Sequence, residues 1–359
     1  MSKIEEMMNW SPYSLPSSEK QKIYEEGLNN LTHKHYNGCE LYRKMLDNFK
    51  FDISSEYKVE EVPFLPVRLF KQYELCSVPK EEVVKTMTSS GTTGQQVSRI
   101  FLDRVTSTNQ TKVLAKISSE FLGTKRLPML IIDSKAVVKD RRLFSARGAG
   151  ILGFSMLGRN VTYALDENMN LDIEAIELFL NQHKDKEIFV FGFTFMIWEH
   201  FYKILKENNI KINLSKGIMF HGGGFKKLIE QAVDNETFKA RLNDVCGIQK
   251  VYNYYGMVEQ TGSIFMECEY GHLHTSIFSD ILIRNPKDFS LCSKGEKGLV
   301  QLVSLLPESY PGHSLLSEDI GEIIGEDDCP CGRLGKTFRL HGRIKQAEIR
   351  GCSDTYERK

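Results

Sequence analysis

The chain has 359 residues, 41% hydrophobic and 26% charged, enough apolar material for one large or two ordinary domains and too much for a disordered or fibrous chain. Lys plus Arg and Asp plus Glu number 47 each, so no single-sign field draws in nucleic acid or an anionic membrane surface. No apolar run reaches the ~18–20 residues that span a bilayer, and the acidic start MSKIEEMMNW lacks the features of a secretory signal; the expectation is a cytoplasmic protein with no nucleic-acid partner and no membrane span.

Along the chain, residues 1–50 show helical periodicity, with Ile23, Leu28 and Leu31 followed by Leu41, Met45 and Phe49. From Met129 onward, short apolar runs at 129–133, 187–192, 217–220, 251–255 and 298–303 alternate with amphipathic stretches at 171–183 and 195–209. Strands alternating with helices predict an α/β fold with a parallel-rich sheet. After about residue 260 Gly- and Pro-punctuated β-type stretches take over, predicting a second, more antiparallel sheet or small barrel. The boundaries drawn are a helical N-terminal region at 1–80, an α/β core at 81–260, a β-rich subdomain at 261–341 and a tail at 342–359.

Three segments carry the marks of ligand chemistry. In Thr88-Ser89-Ser90-Gly91-Thr92-Thr93-Gly94-Gln95, hydroxyls and glycines alternate. Backbone N–H groups and side chains of such a turn can converge on one anion, as a triphosphate cradle requires, although an ordinary polar loop reads the same way. No G-K-S/T follows, so it is not a Walker loop. His221-Gly222-Gly223-Gly224-Phe225 directly follows a predicted strand, where glycines admit a flat ligand against the backbone. Val251 to Glu259, with Tyr252, Tyr254, Tyr255 and Gly256, offers an aromatic face to a purine and then Glu259 to a phosphate-borne metal; an aromatic core strand with a solvated Glu is the bland alternative.

Eight cysteines in so long a chain do not make a disulfide framework. Cys329-Pro330-Cys331-Gly332-Arg333 has the look of half a zinc knuckle, and Cys268 with His272 or His274 supplies the other half, a Cys₃His set suited to a closed structural Zn²⁺ site. Reduced cysteines on a loop are the alternative. The histidines at 33, 35, 183, 200, 313 and 341 show no pattern in the sequence.

In order, these segments resemble the adenylate-forming superfamily of acyl-CoA synthetases, aryl-CoA ligases and luciferases. Ser89 to Gly94 matches its S/T-S/T-G-T-T-G loop, Tyr255 to Glu259 its Y-G-x-T-E, and Ser317-Glu318-Asp319-Ile320-Gly321 the segment whose Asp binds ribose hydroxyls. Gly342-Arg343-Ile344-Lys345, running on to Gly351, resembles its hinge. Two positions depart from the pattern: Val258 replaces the Thr of Y-G-x-T-E, and Gln96-Val97-Ser98 stands where a loop lysine is usual, leaving Arg99 as the nearest cation. Within the superfamily, Arg350-Gly351-Cys352 and Val62 to Lys71 are similar to segments of the acyl-protein synthetases of bacterial luminescence, with phenylacetate-CoA ligases as relatives.

The resemblance implies the large domain of an adenylate-forming enzyme, parallel-rich sheets plus a smaller β-rich subdomain, without a C-terminal lid, since eight residues follow Gly351. It implies ATP and Mg²⁺ as cofactors, with Glu259 on the metal. Ser89, Ser90, Gly91, Thr92, Thr93, Gly94, Gly222, Gly223, Gly224, Tyr254, Tyr255, Gly256, Asp319 and Arg343 would hold nucleotide. A carboxylic acid, in the luminescence branch a fatty acid, would become an acyl-adenylate, be captured on Cys352 as a thioester and pass to an acyl reductase or acyl-transfer partner. Residues 146–154 and 191–195 would border the acyl group. An acyl-CoA ligase using free CoA and a non-catalytic nucleotide- or acyl-binding subunit are the alternatives.

Overall fold

The computed structural model describes residues 3–89, 96–139 and 146–344. Two compact units divide them, one built from residues before 118 together with 256–344, the other from 118–255. The strands in chain order are β1 (Leu65–Pro66), β2 (Val83–Thr88), β3 (Arg99–Asp103), β4 (Leu127–Ser134), β5 (Gly158–Leu165), β6 (Ile188–Phe193) and β7 (Gly217–Gly222). They continue as β8 (Lys250–Tyr255), β9 (Phe265–Glu267), β10 (Leu273–His274), β11 (Ser279–Arg284), β12 (Gly298–Ser304), β13 (Ser314–Glu326) and β14 (Lys336–Arg343).

The 118–255 unit is a parallel sheet in the order β8-β7-β6-β4-β5. All residues of β6 and β7 are buried, as expected of strands covered on both faces. Leu130, Val190, Met219 and Val251 from the strands meet Ile197, Trp198, Phe201, Phe238 and Leu242 from the helices in one apolar core. Each such side chain contributes about 1.5–3 kcal/mol on burial. Helix ends follow local chemistry: the Asp172 and Asp234 carboxylates accept from the Ala175 and Thr237 amides at 2.9 and 2.7 Å, capping helices Ile173–Gln182 and Asn235–Cys246. Gly247, at φ +70°, closes the second.

The other unit holds an antiparallel sheet in the order β11-β12-β13-β14-β10-β9, with β1 lying parallel to β13, and a separate hairpin of β2 and β3. The long helix Ser17–Gly38 docks into it through polar groups as well as Leu28 and Leu31. The Tyr24 hydroxyl donates to the Ile277 carbonyl at 3.0 Å, and the buried Lys20 ammonium donates to the Ser279 carbonyl at 2.8 Å and lies 3.6 Å from Asp280. Burial lowers the Lys20 ammonium to about 8, Asp280 opposing the shift. His35 stacks on His313 with ring centroids 4.9 Å apart, and both are buried, a pairing of two histidines that show no pattern in the sequence.

The apolar runs became β4, β6, β7, β8 and β12, and the amphipathic stretches became helices Ile173–Gln182 and Thr194–Ile197, the latter continued by a wider turn at Trp198–Tyr202. β5 escaped the reading because Arg159, Asn160 and Val161 at its start are exposed, so no apolar run marks it.

Candidate functional site

In the first unit β2 and β3 pair as a hairpin, with the Ser/Thr/Gly stretch between them in sequence. Its root is closed twice, by the Ser89 amide donating to the Ser98 carbonyl at 3.1 Å and by the Ser98 amide donating to the Ser89 hydroxyl at 2.9 Å. Ser90, Gly91, Thr92, Thr93 and Gly94 lie outside the described residues. Arg99, the first cation after the loop, is paired with Glu74 at 2.7 Å.

Glu259 sits in a short 3₁₀ turn, Val258–Gln260, and is 7% exposed. The turn is held from behind. Tyr310 donates its hydroxyl to the Glu259 carbonyl at 2.8 Å, and the Gln260 amide nitrogen donates to the carbonyls of Leu302 and Gly312 at 3.2 and 2.8 Å. A Cβ on Gly312 would come within 2.2 Å of the Tyr310 ring, so only glycine lets that ring reach the turn. Burial pushes the Glu259 carboxyl above the usual carboxylate range; Ser98 and Arg343 oppose the shift and Asp319 adds to it. Asp319 and Arg343 are register partners on β13 and β14, and the Arg343 Nε donates to the Asp319 carboxylate at 3.2 Å. The loop root, Glu259, Asp319 and Arg343 therefore share one electrostatic neighbourhood. A bound cation would offset the cost of burying Glu259, and the partly exposed Asp319–Arg343 pair offers an acceptor for hydroxyls and a donor for phosphate. The residues present fit Mg²⁺ and a nucleotide.

In the 118–255 unit the sequence-predicted residues gather at the carboxyl ends of the parallel strands, where open α/β sheets bind ligands. Gly222 ends β7, opposite Tyr254 on β8. A Cβ on Gly222 would lie 2.7 Å from the Tyr254 carbonyl oxygen and 2.9 Å from its ring, and Gly223 and Gly224 follow at φ +81° and +63°. The Tyr254 ring continues a stack with Phe154, 5.0 Å away, and Phe191, 6.4 Å away, while Phe154 lies 4.5 Å from Phe191. Residues 146–154 and 191–195, the two stretches expected to border the acyl group, thus meet through Phe154 and Phe191. His221 faces inward: its Nδ1 is 3.0 Å from the Thr194 hydroxyl, its ring is 4.6 Å from Phe238, and burial pulls the imidazole down to about 3, so it is neutral. Tyr255 ends β8. Gly256 belongs to the first unit, with Ile264 3.3 Å from where its Cβ would be.

The cysteine motif also closes up. One ligand atom from each of Cys268, His274, Cys329 and Cys331 lies within 4.8 Å of all the others. Cys352, and with it Arg350 and Gly351, falls outside the described residues.

A family model for acyl-protein synthetases, LuxE, matches residues 1–359. The chain belongs to the LuxE acyl-protein synthetase family. Its activity class is therefore ATP-dependent acyl activation by a ligase. Among LuxE relatives, the long-chain-fatty-acid–luciferin-component ligase of Aliivibrio fischeri is 23% identical over 350 residues, 95% of this chain and 90% of the relative. The enzyme of the same name from Vibrio harveyi is 22% identical, covering 89% of this chain and 83% of its own. A crystal structure of 2-hydroxyisobutyryl-CoA ligase with 2-HIB-AMP and CoA superposes with a TM-score of 0.71 at 15% identity, over 93% of this chain and 77% of that one. The likeness establishes that this LuxE-family chain has the α/β fold of adenylate-forming enzymes.

Proposed function

We propose that this acyl-protein synthetase activates a long-chain fatty acid in two steps, an acyl-adenylate and then a thioester on Cys352. The observation that carries the reading is the convergence of the Ser89/Ser98 loop root, buried Glu259 and the Asp319–Arg343 pair in one unit. The relatives named as fatty-acid ligases supply the substrate class.

In the first step a carboxylate oxygen attacks the α-phosphorus of ATP and the bond to pyrophosphate breaks. Ser89 to Gly94 would surround the phosphates, Gly222 to Gly224 with Tyr254, Tyr255 and Gly256 would frame the base, Asp319 would accept from the ribose hydroxyls, and Arg343 would balance phosphate charge. Mg²⁺, held by Glu259, would supply compensation for charge on the departing pyrophosphate. In the second step the Cys352 thiolate attacks the acyl carbon and the bond to AMP breaks. A thiol is the strongest side-chain nucleophile near neutral pH, and neighbouring Arg350 favours its thiolate. The thioester would then serve a cytoplasmic acyl-reductase or acyl-transfer partner.

Incubating the full chain with ATP, Mg²⁺ and a panel of carboxylic acids, followed by intact-mass measurement, tests both steps. One hydroxylamine-labile acyl mass is expected, absent in Cys352→Ser, with acid-dependent pyrophosphate exchange retained in that variant. Acyl label persisting in Cys352→Ser, or rapid thioester formation with free CoA in its place, overturns the capture step. Absence of exchange with every acid overturns the first.

A further inference from the structure

We propose that Cys268, His274, Cys329 and Cys331 bind a single Zn²⁺ that staples the turn after β9 to the turn between β13 and β14, a structural role independent of the acyl chemistry. Four ligand atoms within 4.8 Å of one another meet the first requirement, a closed set drawn from two turns and strand β10. The individual edges meet the second. A tetrahedral site with Zn–S near 2.3 Å and Zn–N near 2.0–2.1 Å has S···S and S···N edges of about 3.8 and 3.6 Å. The Cys268–Cys329 sulfurs are 3.9 Å apart, and the Cys331 sulfur lies 3.4 Å from the His274 Nε2. A sulfur pair at 3.9 Å is far outside disulfide bonding, near 2.05 Å.

The local backbone positions the sulfurs. The Tyr270 amide donates to the Cys268 sulfur at 3.4 Å, and Gly271 and Gly332, at φ +74° and +78°, bend the two turns. Three thiolates and one neutral imidazole around Zn²⁺ leave one net negative charge, and the Arg333 guanidinium, hydrogen-bonded to Cys331 and to Glu269, balances it. The ligand histidine is His274, buried and inside the four-atom set. His272, also open on sequence grounds, is only partly buried, with its Nδ1 3.5 Å from the Cys329 sulfur, and stays outside the set.

The staple has something to hold. β10 and β14 already pair at His274↔Thr337, and the N-terminal segment docks beside them: the Leu334 amide donates to the Tyr13 carbonyl at 3.0 Å, and the Tyr13 ring meets His274 edge-on at 6.0 Å. The ion would fix both the start of the strand that ends at Arg343 and the seat of Tyr13.

The full chain, purified without added metal, should carry about one zinc by elemental mass spectrometry. A strong chelator should lower its melting temperature and expose Cys268, Cys329 and Cys331 to alkylation. His274→Ala and Cys331→Ser should drop the zinc content from about one to near zero, and His272→Ala should leave it unchanged. Should those variants fail to fold, the metal content and chelator response of the wild-type chain still decide. A folded wild-type chain without zinc whose three thiols alkylate freely overturns the proposal, as does a Cys268–Cys329 disulfide in a non-reducing peptide map. Loss of zinc in His272→Ala but not in His274→Ala overturns the ligand assignment.

Discussion

The parallel strands of the 118–255 unit and the antiparallel unit built from the two ends of the chain treat charge in opposite ways. In the first, β6 and β7 are wholly buried, and the main intrusion of charge is Asp133, held by two Arg147 hydrogen bonds at 2.6 and 2.7 Å. Its candidate site residues are glycines and rings, fixed by contact. In the second, Lys20 and Glu259 are buried and Asp280 is partly buried, and the candidate residues are held by strand register and hydrogen bonds. One region offers shape and the other offers charge, so they should break under different insults: the first to a missing ring or an added methyl, the second to an isosteric loss of charge.

The largest effect expected is from Phe191→Ala, which empties a fully buried position in the stack with Phe154 and Tyr254. Urea denaturation should show a loss of about 3–5 kcal/mol. A loss under about 1 kcal/mol would mean the rings do not act as a packed core. Gly222→Ala comes next, since the new methyl meets the Tyr254 carbonyl at 2.7 Å. About 1–3 kcal/mol of stability should go, and the Michaelis constant for ATP should rise; an unchanged melting curve would show that the backbone yields easily there.

Glu259→Gln should separate stability from activity. Pyrophosphate exchange should fall on the order of tenfold, about 1.4 kcal/mol in the barrier. Without nucleotide or Mg²⁺, the same variant should melt higher than wild type at pH 7, because burial disfavours the ionised carboxyl. The sign follows from proton counting: between the ordinary value of 4.5 and its raised folded value, Glu259 holds more protons in the native state. Wild-type stability at this residue therefore falls as pH rises through that window, and the gap to Glu259→Gln widens before levelling off. A variant that melts lower at pH 7 would contradict the burial penalty. The smallest effect belongs to Arg99→Gln, whose partner Glu74 and own side chain are both about half exposed. Stability should move by less than about 0.5 kcal/mol, and a larger change in thermal melting would give that pair a weight its exposure does not predict.

What could be read from the sequence follows the range over which each interaction acts. Apolar runs such as 217–220 announced buried parallel strands because covering on both faces leaves its mark within a few residues. Glu259, Asp319 and Arg343 could be named one by one from their motifs, yet that Arg343 faces Asp319 across a bulged strand pair is a matter of register, which no local pattern encodes. The His35–His313 stack joins positions far apart in the chain, and each histidine alone looks ordinary. The cysteine motif was legible because its residues cluster in two short segments, but choosing between His272 and His274 needed the burial and reach of each ring.

Helix Ser17–Gly38 finds its anchors at the opposite end of the chain. The Ser17 amide donates to the Asp327 carboxylate at 2.8 Å across 310 residues, Lys20 reaches Ser279 across 259, and Leu65 pairs with Leu315. During synthesis at ~5–20 residues per second, the helix would emerge from the ribosome roughly 15–60 s before Asp327 exists. Strands β4 to β8, by contrast, pair with one another within the continuous stretch 118–255 and can do so while the rest is still being translated. The hydrogen-bond partners of the helix at Ser279 and Asp327 are missing throughout that wait. The order of synthesis therefore lets residues 118–255 settle first and leaves helix Ser17–Gly38 to be seated last, when the end of the chain arrives.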